Sequence, residues 1–145
     1  MSWFGSIFGS LQRRARRAAV RGDYREAAML YAEAGEPEEA ARALRTLAEK
    51  TLDPGPHESL LQDALHWLSP TSAQRGEIEG LIGASILHRS AERREHSRSE
   101  RQELKRAAHL LENGDRFGEA AIAWELQRLA HNLSWEPRCV PVTIR

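Results

Sequence analysis

Only one cysteine, Cys139, occurs in the 145 residues, so no internal disulfide can close and no thiolate metal cluster can assemble. That scarcity fits a reducing compartment. Net charge is missing as well: 21 basic residues balance 21 acidic ones, which removes any global pull toward nucleic acid or an anionic membrane. No apolar run approaches the roughly 20 residues that a membrane-spanning helix requires. The N-terminal charges follow the first apolar stretch instead of preceding it, the reverse of a secretory leader. β-branched residues are scarce through the body, while alanine and arginine, both strong helix formers, are abundant. With 41% hydrophobic and 29% charged residues, wholesale disorder is excluded and one core can be buried without covalent staples.

What is present is helical periodicity broken by short punctuation. Apolar residues recur once per α-turn in seven segments. The first spans about 2–21, with Trp3, Phe4, Ile7, Phe8, Leu11, Ala15, Ala18 and Ala19 in one stripe. Gly5 and Gly9 weaken it by about 1 kcal/mol each. Gly22-Asp23 ends it, and Asp23 with Glu26 can cap the next helix, about 24–34. Gly35 stops that helix and Pro37 opens a third. Asp53-Pro54-Gly55-Pro56 is the strongest break, before a helix at about 57–68. Thr71 with Gln74 can cap a fifth helix. The charged stretch 89–106 reads as broken near 96–99, with Ser97 and Glu100, or Ser99 and Gln102, able to cap a sixth helix at about 99–113; one unbroken helix is the alternative. The seventh, about 116–133, places Ile122, Leu126, Leu129 and Leu133 on a second apolar face, which predicts packing on both sides. The expectation is an all-α domain over 1–133, with 1–12 able to serve as a separate amphipathic docking segment. A non-helical tail covers 134–145, where Pro137 and Pro141 forbid helix.

Two segments echo each other. Ala18-Ala19-Val20-Arg21-Gly22-Asp23-Tyr24-Arg25-Glu26-Ala27-Ala28 resembles Ala108 to Asp115 followed by Phe117-Gly118-Glu119-Ala120-Ala121, with one extra residue after Gly-Asp in the second copy. Small residues before the turn let helices approach, Gly-Asp turns the chain, and the aromatic anchors the next helix. This pattern resembles the helical hairpin of tetratricopeptide repeats. The resemblance covers about 15–35 and 104–126, while 51–98 departs from it. It implies a short α-solenoid, or a bundle of stacked antiparallel hairpins, that acts as a scaffold for partners.

No chemistry is readable. His57, His66, His88, His96, His109 and His131 form no His-Glu-x-x-His set, and His88 and His96 are too far apart for one metal. Gly80 and Gly83 are not followed by Gly-Lys-Ser/Thr, so they form no phosphate loop. Cys139 has no activating neighbour beyond Arg138. An enzyme, a cofactor and a metal are therefore not expected.

Binding is the remaining class. Trp3, Phe4, Ile7 and Phe8 beside Arg13, Arg14, Arg16 and Arg17 form a basic amphipathic helix. Such a helix packs as core, docks in a partner's groove, or lies on an anionic membrane. In the tail Val140, Val142 and Ile144 alternate with the period of a strand and offer a second contact segment. Stretch 89–106 interleaves its arginines with Glu92, Glu95, Glu100 and Glu103, which favours a solvated helix surface over nucleic acid. The expected function is a cytoplasmic adaptor for a protein partner, with self-association through exposed hairpin faces open. A peripheral membrane protein is the alternative.

Overall fold

The computed structural model describes residues 3–134, with side chains described for 5–132. Seven helices follow in chain order: α1 Trp3–Val20, α2 Tyr24–Glu33, α3 Pro37–Lys50, α4 Pro54–Trp67, α5 Ala73–Ala91, α6 Arg98–Asn113 and α7 Phe117–Ser134. No strand occurs among the described residues. Each helix packs on the next, and α5 also touches α7. The fold is all-α, a stack of antiparallel helices.

The boundaries follow local chemistry. The Asp23 side chain accepts from the Glu26 N–H at 3.4 Å and caps α2. Pro37 and Pro54 occupy first-turn positions, where a missing N–H is harmless. Because Pro56 also fits in a first turn, α4 starts at Pro54, three residues earlier than the Asp-Pro-Gly-Pro punctuation suggests. Ser72, not Thr71, caps α5. A full capping box joins Ser97 and Glu100 at the start of α6.

Three turns share one hydrogen-bond pattern. After α1, the Gly22 N–H donates to Ala19 O at 3.0 Å and the Asp23 N–H to Ala18 O at 2.9 Å. After α2, Gly35 donates to Ala32 O at 3.1 Å and Glu36 to Tyr31 O at 2.9 Å. After α6, Asp115 donates to Glu112 O at 3.0 Å and Arg116 to Leu111 O at 2.8 Å. This is the Schellman ending, which needs one left-handed residue. Gly22 (φ 84°) and Gly35 (φ 75°) supply it, but in the third turn Asp115 does so, at φ 58°.

The glycine of the third turn therefore has another task. A Cβ on Gly114 would lie 2.6 Å from Gly80 Cα and 2.9 Å from Gly76 O. Gly76, Gly80 and Gly83 lie on one face of α5: a methyl group at Gly76 or Gly83 would clash with Asn113 O or with Ala107 O and Leu111, and one at Gly80 would lie a tight 3.1 Å from Gly114 Cα and from the Arg116 side chain. Packing, not dihedral freedom, fixes glycine there.

The core changes character along the stack. Ala15, Ala18, Ala27, Ala28, Ala40, Ala41 and Ala48 hold α1–α3 close together. Leu60, Leu61, Ile78, Ile82 and Ile86 then carry the bulk of the α4–α5 contact. A second cluster, Leu87, Leu104, Ala108, Leu111, Ala120 and Ala123, joins α5, α6 and α7. Burying each large aliphatic side chain stabilises by about 1.5–3 kcal/mol. Polar links cross between next-but-one helices. Gln74 reaches Glu38 at 2.7 Å and Arg45 reaches Glu77 at 2.7 Å, tying α3 to α5. The Glu77 hydrogen bond raises the Arg45 pKa, with help from Glu49. Arg89 bridges Glu58 and Glu103, both at 3.0 Å, and so links α4, α5 and α6.

Two expectations for α7 are corrected. Among the described residues it packs against α6 and the edge of α5, and Ile122 and Leu129 on its second apolar face stay exposed. Phe117 does not anchor the helix: it is 63% exposed, because the preceding turn takes an extra residue and rotates it outward.

Candidate functional site

Helix lengths set the geometry at the first end of the stack. α1 has 18 residues and α2 has 10, about 27 Å against about 15 Å. The two run antiparallel from the Gly22 turn. The α2–α3 turn is level with Gln12, whose side-chain amide donates to Glu36. Among the described residues the start of α1 therefore projects past the end of α2, its main neighbour.

On this projection Ile7 is 43% and Phe8 41% exposed. Phe8 lies 3, 7 and 10 residues before Leu11, Ala15 and Ala18, so it belongs to the face that α2 covers further along. Leu11 is half-buried and the two alanines are fully buried. Among the described residues Phe8 stays partly exposed because α2 has stopped. Trp3 and Phe4 precede it on the same helix, and their side chains lie outside the described residues.

The four arginines are all exposed. Arg13 Nε donates to Gly9 O at 3.1 Å. Arg16 borders a shallow cleft with Tyr31, Gly35, Glu36, Pro37, Glu38 and Glu39. This cleft puts carboxylates beside the projecting helix. Val140, Val142 and Ile144 lie outside the described residues, as does Cys139.

Sequence periodicity missed two further surfaces. Met29 (60% exposed) and Trp67 (43% exposed) line a groove between α2 and α4, floored by Ala28 and Leu44 and rimmed by Arg25, Asp63 and His66. A second groove runs from Leu52 and Pro54 to Leu81 and Ala84, beside His57 and Arg89. The first forms across α3 between helices that are not sequence neighbours, and the second between the start of α4 and the later turns of α5, so no local pattern marks either.

Among the described residues no three His, Cys, Asp or Glu side chains are placed to hold a metal ion. Glu112 accepts from Trp124 Nε1 at 2.8 Å while His109 stands edge-on to that indole, an arrangement that holds α7 on α6. No described helix is long and apolar enough to cross a membrane. No family model matches the chain, and no curated protein or solved structure gives a significant match.

Proposed function

We propose that this protein is an adaptor that holds a protein partner, with the projecting start of α1 as its principal contact element. The observation that carries this reading is the length mismatch between α1 and α2. Among the described residues it leaves Ile7 and Phe8, on a face that α2 covers further along, partly exposed. Large apolar side chains dominate interface energies, and Ile7 and Phe8 with Trp3 and Phe4 provide four in two turns. The rest of the stack, interlocked by close α5–α6 packing and by cross-links such as Arg89, supplies the rigid base.

Three Schellman turns with the same bonding support a tetratricopeptide-like organisation, in which paired helices leave outer faces for ligands. For the peripheral-membrane alternative the four exposed arginines are the favourable feature, and Glu36, Glu38 and Glu39 beside Arg16 partly offset it.

The test replaces Trp3, Phe4, Ile7 and Phe8 together with serine. Helicity and melting temperature should stay close to wild type, while the stoichiometric partner recovered with the wild-type chain from its native cell extract is lost. Global unfolding of the variant would place these residues in the core. Flotation of the wild-type chain with anionic liposomes, lost on neutralising Arg13, Arg14, Arg16 and Arg17, would favour the membrane instead.

A further inference from the structure

We propose that the partner held by α1 presents an acidic amphipathic helix, which lies along one exposed flank of α1. The proposal rests on the adaptor reading and supplies the partner's chemistry.

Ile7, Ser10, Arg14, Arg17 and Arg21 follow one another three and four residues apart, so they form a single line along the helix. Arg21 belongs to it because its N–H still donates to Arg17 O at 3.1 Å. All five residues are exposed. The line runs beside the face that packs on α2, where Ala15 and Ala18 are fully buried. It is apolar at its start and basic beyond. Ser10 turns its hydroxyl back to Ile7 O at 2.9 Å and makes no demand on a partner.

These cations are poorly matched within the chain. α3, α5 and α7 each set a glutamate three or four residues from an arginine, as in Glu39–Arg42, Arg75–Glu79 and Glu125–Arg128. α1 holds no acid. Among the described residues Arg14 and Arg17 have no ion pair, and Arg21 has only Glu26 at 3.4 Å, with both of those side chains exposed.

Charge and spacing together select a helix that carries carboxylates. An α-helix repeats its side chains at the interval of the arginine line, so glutamates three and four residues apart can meet Arg14, Arg17 and Arg21 together. Ile7 lies about 10 Å before Arg14, which sets an apolar residue two turns from the first glutamate. Each guanidinium fork fits a carboxylate through two parallel hydrogen bonds. A broad anionic surface fits less well. It would also meet Glu26 beside Arg21 and, around the helix, Glu36, Glu38 and Glu39 beside Arg16, whereas a helix touches the line alone.

Fluorescence anisotropy on the full chain tests this with two labelled synthetic peptides of one composition. In the first, leucine and then glutamates follow that spacing on one helical face; in the second the order is scrambled. The ordered peptide should bind roughly tenfold tighter than its isomer, and less tightly as salt is added. Arg14→Gln with Arg17→Gln should weaken it roughly tenfold and leave circular dichroism unchanged, since both side chains are exposed. Arg14→Glu with Arg17→Glu should lose that peptide and gain one with lysines at the glutamate positions. Equal binding of the two isomers, indifference to the glutamines, or no gain of the lysine peptide would each overturn the proposal. So would binding to phosphatidylcholine–phosphatidylglycerol vesicles that the ordered peptide fails to displace, which would assign the flank to a membrane. The adaptor reading fails separately: it falls if the serine replacement of Trp3, Phe4, Ile7 and Phe8 retains the partner recovered from cell extract, whatever the peptides do.

Discussion

Replacing Gly83 with alanine should destabilise the protein, although the same exchange in an open helix stabilises it. The gain in helix propensity is about 1 kcal/mol. Against it, the new methyl would lie 2.9 Å from Ala107 O, 2.9 Å from Leu111 Cγ and 3.0 Å from Leu111 N. Two of these are backbone atoms, so a rotamer change cannot relieve the clash and α6 must move away from α5. That displacement disturbs Leu104, Ala108 and Leu111, the centre of the α5–α7 cluster. Overpacking of this kind costs about 1–3 kcal/mol and outweighs the propensity gain in a close-packed interface. The expected net loss is up to about 2 kcal/mol, a fall in melting temperature of up to roughly 8 °C for a chain of this size. Thermal denaturation followed by circular dichroism at 222 nm reads it directly. Gly9→Ala is the control, because Gly9 is within α1 and meets nothing within 4 Å. It should stabilise by up to about 1 kcal/mol. If the two alanines shift stability in the same direction, the close α5–α6 approach is wrong.

Gly114→Ala tests the same contact from the other side: its φ of −90° suits any residue, yet stability should fall by about 2 kcal/mol in urea titrations, because the methyl meets Gly80 Cα. Asp115→Gly should act in the opposite sense and raise stability by about 1 kcal/mol, since a non-glycine residue now occupies the left-handed position. A calorimetric scan showing no rise would mean that the aspartate contributes a compensating interaction. Ser97→Ala removes half of the capping box and should cost about 1 kcal/mol, with faster amide exchange confined to the first turn of α6.

Much of the fold is legible in sequence because helix ends are written locally. Pro37, Gly22 and Gly35 act within one turn of themselves, whereas at the start of α6 two serine pairs fit a capping box equally well in sequence and the structure selects Ser97 with Glu100. The third turn misleads for a tertiary reason. Gly114-Asp115 looks like Gly22-Asp23, but the pair is shifted by one position, and its glycine answers to Gly80 some 34 residues earlier. The seam on α7 was legible as an apolar face, yet periodicity says nothing about whether a neighbour exists to cover it. The same limit applies at α1: Phe8 falls on the face that packs against α2, and among the described residues the shortness of α2 leaves it partly exposed. The Met29–Trp67 groove joins residues with no periodic relation, so nothing in the chain announces it.

Amide hydrogen exchange on the isolated full chain bears most directly on a stack whose first helix projects beyond its support. Exchange tracks local opening, which is easiest where few neighbours hold a segment. Amides of Ile7 to Ser10 should exchange orders of magnitude faster than those of Ile82 to Leu87, with Ala15 to Ala18 between them. Protection of Ile7 to Ser10 equal to that of α5 would contradict the account, because it would mean that the apolar start of α1 is already covered and has nothing left to offer a partner.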